Sequence, residues 1–182
     1  MNIKKVKLSK GGTLEVAYMD EDGNDITMKG KNIVHEDLRH RLDALVPYFA
    51  ELTEQREVPM IDWRDLGSDE NQDLLHRISV TGVAVSGADL DLSCVLTGKR
   101  TLSTSKVLNL CAPLTGFDPD AESYERCEEL RDAVNALLYE AELYIREKKW
   151  SFVQQQIDFD GNADDPFADA QATAEVPEAV PA

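Results

Sequence analysis

The residues of this chain whose types and spacing could do chemistry are cations. Lys5 and Lys7 alternate with Val6 and Leu8, and Lys29 and Lys31 stand two apart. Lys99, Arg100 and Lys106 lie in a stretch, Leu92 to Phe117, that holds no Asp or Glu. Ammonium and guanidinium groups repeated at strand spacing neutralise phosphates, the sequence-independent part of nucleic-acid affinity. Trp63 adds an indole with two readings, a stacking platform for a base or an apolar anchor for its own loop. Catalytic chemistry finds no such support. There is no nucleophile elbow, phosphate loop, H-E-x-x-H or C-x-x-C, so the chain reads as a non-enzyme with no catalytic residues, metal or cofactor. His35 and His40 are five apart, not the four that would share a metal, and read as solvated helix residues. Asp20, Asp22 and Asn24 look like the start of a calcium loop, but Gly23 falls at the fourth position rather than the sixth and no Glu stands at the twelfth. That segment reads as a hairpin turn.

Strands must position these cations. Ile78–Val85 alternates between two faces with a break at Gly82, and Ser86–Asp89 reads as a turn. Leu90, Leu92, Cys94 and Leu96 then share one face. After a polar connection around Ser103–Lys106, Val107–Cys111 gives a third strand. Period-two alternation bounded by Gly, Ser and Asp is the mark of half-buried antiparallel strands. Upstream, residues 2–8 form a strand with a basic solvated face, and Gly11-Gly12 marks a turn. Residues 14–18 and 26–28 then pair around Asp22-Gly23.

Two helices complete the pattern. Val34, Leu38, Leu42, Leu45, Phe49 and Leu52 repeat at helical spacing over 34–55, with Asn32 as the cap. Pro47 kinks this helix or begins a second one. From Arg56 to Gln72 periodicity disappears, in a connection long enough to signal function or mobility. Phe117-Asp-Pro-Asp120 opens a helix to about Lys149, with Arg146, Lys148 and Lys149 complementing its dipole. Cys127, Leu130, Val134, Leu137, Ala141 and Tyr144 repeat in steps of three and four, a seam that can pack in cis or across a homodimer. Leu138 and Ile145 widen it and favour packing on its own domain. Trp150–Phe159 can form a last strand.

The expectation is an α+β fold in the order β-β-β-α-β-β-β-α. It closes as an OB-like barrel or stays an open antiparallel sheet with two amphipathic helices on one face. The domain spans 1–157, and 158–182 is a disordered acidic tail. That tail has seven acids and no base, too little apolar surface to offset the entropy of ordering.

The net charge is −16 over 182 residues, and its distribution carries more than its size. It runs +1 over 1–35, −7 over 36–76, +2 over 77–117, −5 over 118–157 and −7 over 158–182. Global charge disfavours nucleic acid while the strand-borne charge permits it. No apolar run approaches the roughly 18–20 residues that span a bilayer, and the N-terminal lysines precede no apolar signal core. Three cysteines without C-x-x-C spacing suggest reduced thiols in a cytoplasm, with Cys94, Cys111 and Cys127 buried.

Asp158-Phe-Asp-Gly-Asn-Ala-Asp-Asp-Pro-Phe167 resembles the acidic, phenylalanine-ended tails of bacterial and phage single-stranded DNA-binding proteins, although here fifteen residues follow the aromatic. The resemblance implies that Asp164, Asp165, Pro166 and Phe167 recruit replication or host proteins, and that the tail competes with DNA for a basic groove. Gly12–Val16, Asp22-Gly-Asn24 and Thr97–Leu110 resemble segments of small uncharacterised proteins from tailed-phage replication regions. Two functions stay open. One is a nucleic-acid-binding accessory protein, single-stranded DNA first. The other is an acidic interaction module, such as a DNA-mimicking inhibitor or a phage structural accessory protein.

Overall fold

The computed structural model describes residues 1–87, 92–117, 124–147 and 149. Three antiparallel strands come first: β1 (Asn2–Leu8), β2 (Thr13–Met19) and β3 (Asp25–Ile33). Helices α1 (Glu36–Asp43), α2 (Val46–Leu52) and α3 (Asp69–Leu75) follow. Then come β4 (Ile78–Ser86), β5 (Ser93–Thr101), β6 (Val107–Cys111), the short β7 (Thr115–Gly116) and α4 (Cys127–Arg146). The sheet order is β3-β2-β1-β4-β5-β6, with β7 also on β5. β3 and β6 are the two edges and do not pair. Of the two sheet geometries the strand pattern allows, the open antiparallel sheet is the one formed.

Alternation decides which face holds the core. Val6, Val16, Val83, Cys94 and Leu96 are buried, and their even spacing points them to one side of the sheet. β-bulges between Ile3 and Lys5 and between Val80 and Gly82 restore this phase where a strand would lose it. Against that side pack Leu38, Leu42, Leu45 and Phe49 from α1 and α2. From α4, Leu130, Val134, Leu137, Ala141 and Tyr144, the seam read from the sequence, pack there as well. Gly98 marks the closest approach. A Cβ there would stand 2.4 Å from the Ser79 carbonyl oxygen of β4 and 2.6 Å from the Phe49 ring of α2, so only hydrogen fits.

Several boundaries differ from the expectation for local reasons. β3 runs to Ile33 instead of ending at Met28, because Lys29 and Lys31 need only one solvated face to remain in a strand. Asn32 is therefore in β3 and does not cap α1. The cap is His35, whose Nδ1 accepts from the Asp37 N–H at 3.3 Å. Pro47 begins a second helix, lying in the first turn of α2, where its missing N–H costs nothing.

The 56–72 connection is ordered by one buried side chain. Asn71 accepts from the Asp62 N–H at 3.0 Å and donates to the Asp62 and Asp65 carbonyls at 2.8 Å. Ser68 caps α3, which begins inside the stretch without periodicity. β5 begins at Ser93 and extends through Thr101, and Leu90 lies outside the described residues. Helix α4 starts at Cys127 rather than at Phe117-Asp-Pro-Asp120. Tyr124 instead donates to Glu51 of α2, and Arg126 Nε stands 3.5 Å from the same carboxylate as an ion pair, holding the chain in a non-helical turn. Residues 118–123, the 88–91 part of the first turn, Lys148, the Trp150–Phe159 strand and the 158–182 tail with Asp164, Asp165, Pro166 and Phe167 lie outside the described residues. Among the described residues no helix is long and apolar enough to cross a membrane.

Candidate nucleic-acid interface

Because the core side is fixed by Val6, Val16 and Val83, the alternate positions must share the opposite face. The pairing register shows which residues meet there. One row runs Lys29, Glu15, Lys7, Gly82, Thr97, Cys111 across six strands. A second runs Thr27, Ala17, Lys5, Ala84, Val95. Lys99 sits between Ser79 and Asn109 in a third. Lys31 is exposed two positions beyond Lys29 on the β3 edge, where the β2–β3 register shifts between Thr13 and Glu15, and borders the same face. Five of the eight residues singled out by sequence, Lys5, Lys7, Lys29, Lys31 and Lys99, thus converge on one face. Among the described residues no helix covers it.

The electrostatics of this face are simple. Glu15 is the one carboxylate in its strand rows, 3.7 Å from the Lys5 ammonium and 3.8 Å from that of Lys29. Lys4, at the β1 bulge, is held by Asp25 at the sheet's end. Lys7, Lys31 and Lys99 make no ion pair among the described residues. The excess is about four positive charges on a protein of net charge −16, with the acids gathered on the helices opposite. Ala17, Ala84, Val95 and Thr97 keep the centre flat, and Tyr18 points to the core side. Among the described residues the face therefore offers charge without aromatic platforms.

The other three residues lie elsewhere. Arg100 follows Lys99 and so points to the helical side. Its Nη1 and Nη2 donate to Glu57 at 2.8 and 2.6 Å, and Nη1 also donates to Gln55 Oε1 at 2.6 Å. The bidentate guanidinium, opposed by burial, holds the Glu57 carboxyl down at about 2. Arg100 is an internal partner. Trp63 is half-buried against Tyr48, with ring centroids 5.8 Å apart, and the Arg126 guanidinium lies 4.0 Å over its ring. Of its two readings the geometry is that of the loop anchor. Lys106 is exposed in the β5–β6 hairpin, opposite Leu102 and in phase with Leu108 and Arg100 rather than with Lys99.

No family model, curated protein or solved structure matches the chain. Its site is defined by its own geometry.

Sequence reasoning missed two features. Cys111 is exposed at the end of the first row, correcting the expectation of three buried thiols, while Cys94 and Cys127 are buried. Burial pushes the Cys94 thiol up to about 12. A cleft of about 750 Å³ between α1, α2, α3 and β4 has His40, Asp43 and His76 on its walls. Among the described residues no group of three or more His, Cys, Asp or Glu could hold a metal ion.

Proposed function

We propose that this protein is a nucleic-acid-binding accessory protein whose open sheet face binds the backbone of single-stranded DNA. Its acidic C-terminal segment competes for that face. The observation that carries the reading is the convergence of Lys5, Lys7, Lys29, Lys31 and Lys99 on one uncovered surface of a strongly acidic chain. Packing does not require this clustering, since the core is built from the other side. Without aromatic platforms, which elsewhere add ~1–3 kcal/mol per base, binding is electrostatic, weak and steeply salt-dependent.

The root of the competing segment supports the same reading. Arg146, in the last turn of α4, lies 3.9 Å from Glu21 in the β2–β3 turn, and Lys149 bonds Asp37 at 2.6 Å. The chain thus leaves the described domain beside the hairpin that carries Lys29 and Lys31. The first tail acid, Asp158, is nine residues on. Tethering of this kind gives a local concentration on the order of millimolar, enough to mask a site of micromolar affinity. A role in phage replication or recombination, with the tail also engaging replication or host proteins, accords with the resemblances of Asp158–Phe167 and of the Gly12 and Thr97 segments.

The test is fluorescence anisotropy with labelled oligo-dT at low and moderate salt, duplex DNA as control, on the full chain and on a chain ending at Ile157. The shorter chain is expected to bind oligo-dT more tightly, most visibly at low salt. A shorter chain that binds neither nucleic acid leaves the acidic interaction module, favoured by the charge of the helical side, as the reading to pursue.

A further inference from the structure

The two edges of the sheet are built differently. β3 carries Lys29 and Lys31 beside Gly30, the charged, interrupted sequence by which an edge strand resists pairing with another. β6, Val-Leu-Asn-Leu-Cys, carries no charge. Val107 is 56 % exposed and Leu108 46 %, and Leu114 beyond the strand is 67 % exposed. Its hydrogen-bonding direction follows from its neighbours. Leu102 N–H donates to the Lys106 carbonyl and Ala112 N–H to that of Leu96, at 2.8 and 2.9 Å. The even-numbered residues therefore turn their amides to β5, and Val107, Asn109 and Cys111 turn theirs outward. Among the described residues nothing pairs with them.

We propose that β6 pairs antiparallel with β6 of a second copy, about a two-fold axis through Asn109. Such a contact must be self-complementary, and this strand is. Its pattern reads the same in both directions about Asn109, so Leu108 meets Leu110 of the second copy and Val107 meets Cys111. The two Asn109 carboxamides face each other and can exchange hydrogen bonds. Charge selects the same surface. In a chain of −16, two copies approach with least repulsion where acids are missing, and Leu92–Phe117 has none. The chain's own C-terminal segment is a poorer occupant, since α4 ends beside the β2–β3 turn at the far side of the sheet.

Antiparallel pairing about an axis normal to the sheet keeps helices with helices. The two open faces then become one continuous surface with twice the lysines. That consequence rests on the nucleic-acid reading; the association itself does not. An edge of five residues buries less than the roughly 1,200 Å² of a stable interface. The dimer is accordingly weak, with a Kd on the order of 10–100 μM.

Sedimentation equilibrium of the full chain without DNA, at salt high enough to screen the acids, tests this. A monomer–dimer equilibrium is expected. Asn109→Pro removes an outward N–H that β5 does not use, and Val107→Lys guards the edge as β3 is guarded. Each is expected to leave circular dichroism unchanged and weaken association at least tenfold. In a Cys111→Ser background, Asn109→Cys is expected to form an intermolecular disulfide under mild oxidation. Paired Cα atoms at about 5.5 Å suit that bond. A monomer throughout with no cross-link overturns the proposal, whether another strand covers β6 or none does. Association unaffected by both edge variants overturns it as well.

Discussion

Replacing Arg100 by alanine separates a fold role from a binding role more sharply than any other substitution. Arg100 and Glu57 have side chains only 12 % and 10 % exposed and meet in a two-bond fork, with Arg56 Nε 3.1 Å from the same carboxylate. Truncating Arg100 leaves Glu57 facing the core without its main partner. Breaking a buried pair in this way costs roughly 3–5 kcal/mol. The carboxyl's displacement from 4.5 to about 2 corresponds to about 3 kcal/mol at 1.36 per unit, before solvent screening lowers it. We expect Arg100→Ala to lose about 2–3 kcal/mol at pH 7, a large part of an ordinary domain's stability. Glu57 is depressed in the folded state. Its contribution is therefore complete above the unfolded value of 4.5 and fades as pH falls toward 2, and the gap between wild type and variant should narrow over that window. Replacing both residues by leucine should recover much of the loss. Urea unfolding followed by tryptophan fluorescence measures all three. An Arg100→Ala protein within about 1 kcal/mol of wild type, but impaired in oligonucleotide binding, would refute the argument and return Arg100 to the interface.

Two further outcomes follow from the packing. A thiol reagent should modify one cysteine of the native protein rapidly, Cys111, while Cys94 and Cys127 react only on unfolding; mass spectrometry of the labelled peptides reads this, and fast modification of Cys94 would contradict its placement. Gly98→Ala drives a methyl against the Ser79 carbonyl and the Phe49 ring and should cost on the order of 1–3 kcal/mol by overpacking, checked by thermal unfolding; a neutral effect would contradict the close packing of β5 against β4 and α2.

The sheet was legible in the sequence because its two faces differ chemically. Val6 between Lys5 and Lys7, and Cys94 and Leu96 on one side of β5, state the alternation outright. The seam from Cys127 to Tyr144 was legible for the same reason, its apolar residues keeping helical phase. What stayed hidden depends on partners distant in the chain. Arg100 looks like any strand cation beside Lys99; only the Lys99–Asn109 register and Glu57, forty-three residues away, put it on the other side. Asn71 looks like a loop residue until its three backbone bonds close the 56–72 connection. Cys111 looked buried because hydrophobic strands usually have an inner face, but its pairing with Thr97 turns it to the open face at the sheet's edge. The convergence of the five lysines was the least accessible feature, because strand order is set by long-range pairing that composition does not encode.

The central claim is that the lysine face binds nucleic acid, and the salt dependence of that binding tests it most directly. With the chain ended at Ile157, log K for oligo-dT should fall linearly with log salt. For one protomer the slope can be no steeper than about −3.5, five lysines at −0.7 each on a single strand. Reversing Lys7, Lys31 and Lys99 to glutamate should abolish binding while leaving unfolding unchanged, since none of the three has a partner in the core. Binding that survives this reversal with its slope intact, or no binding by the unmodified face at low salt, would contradict the account.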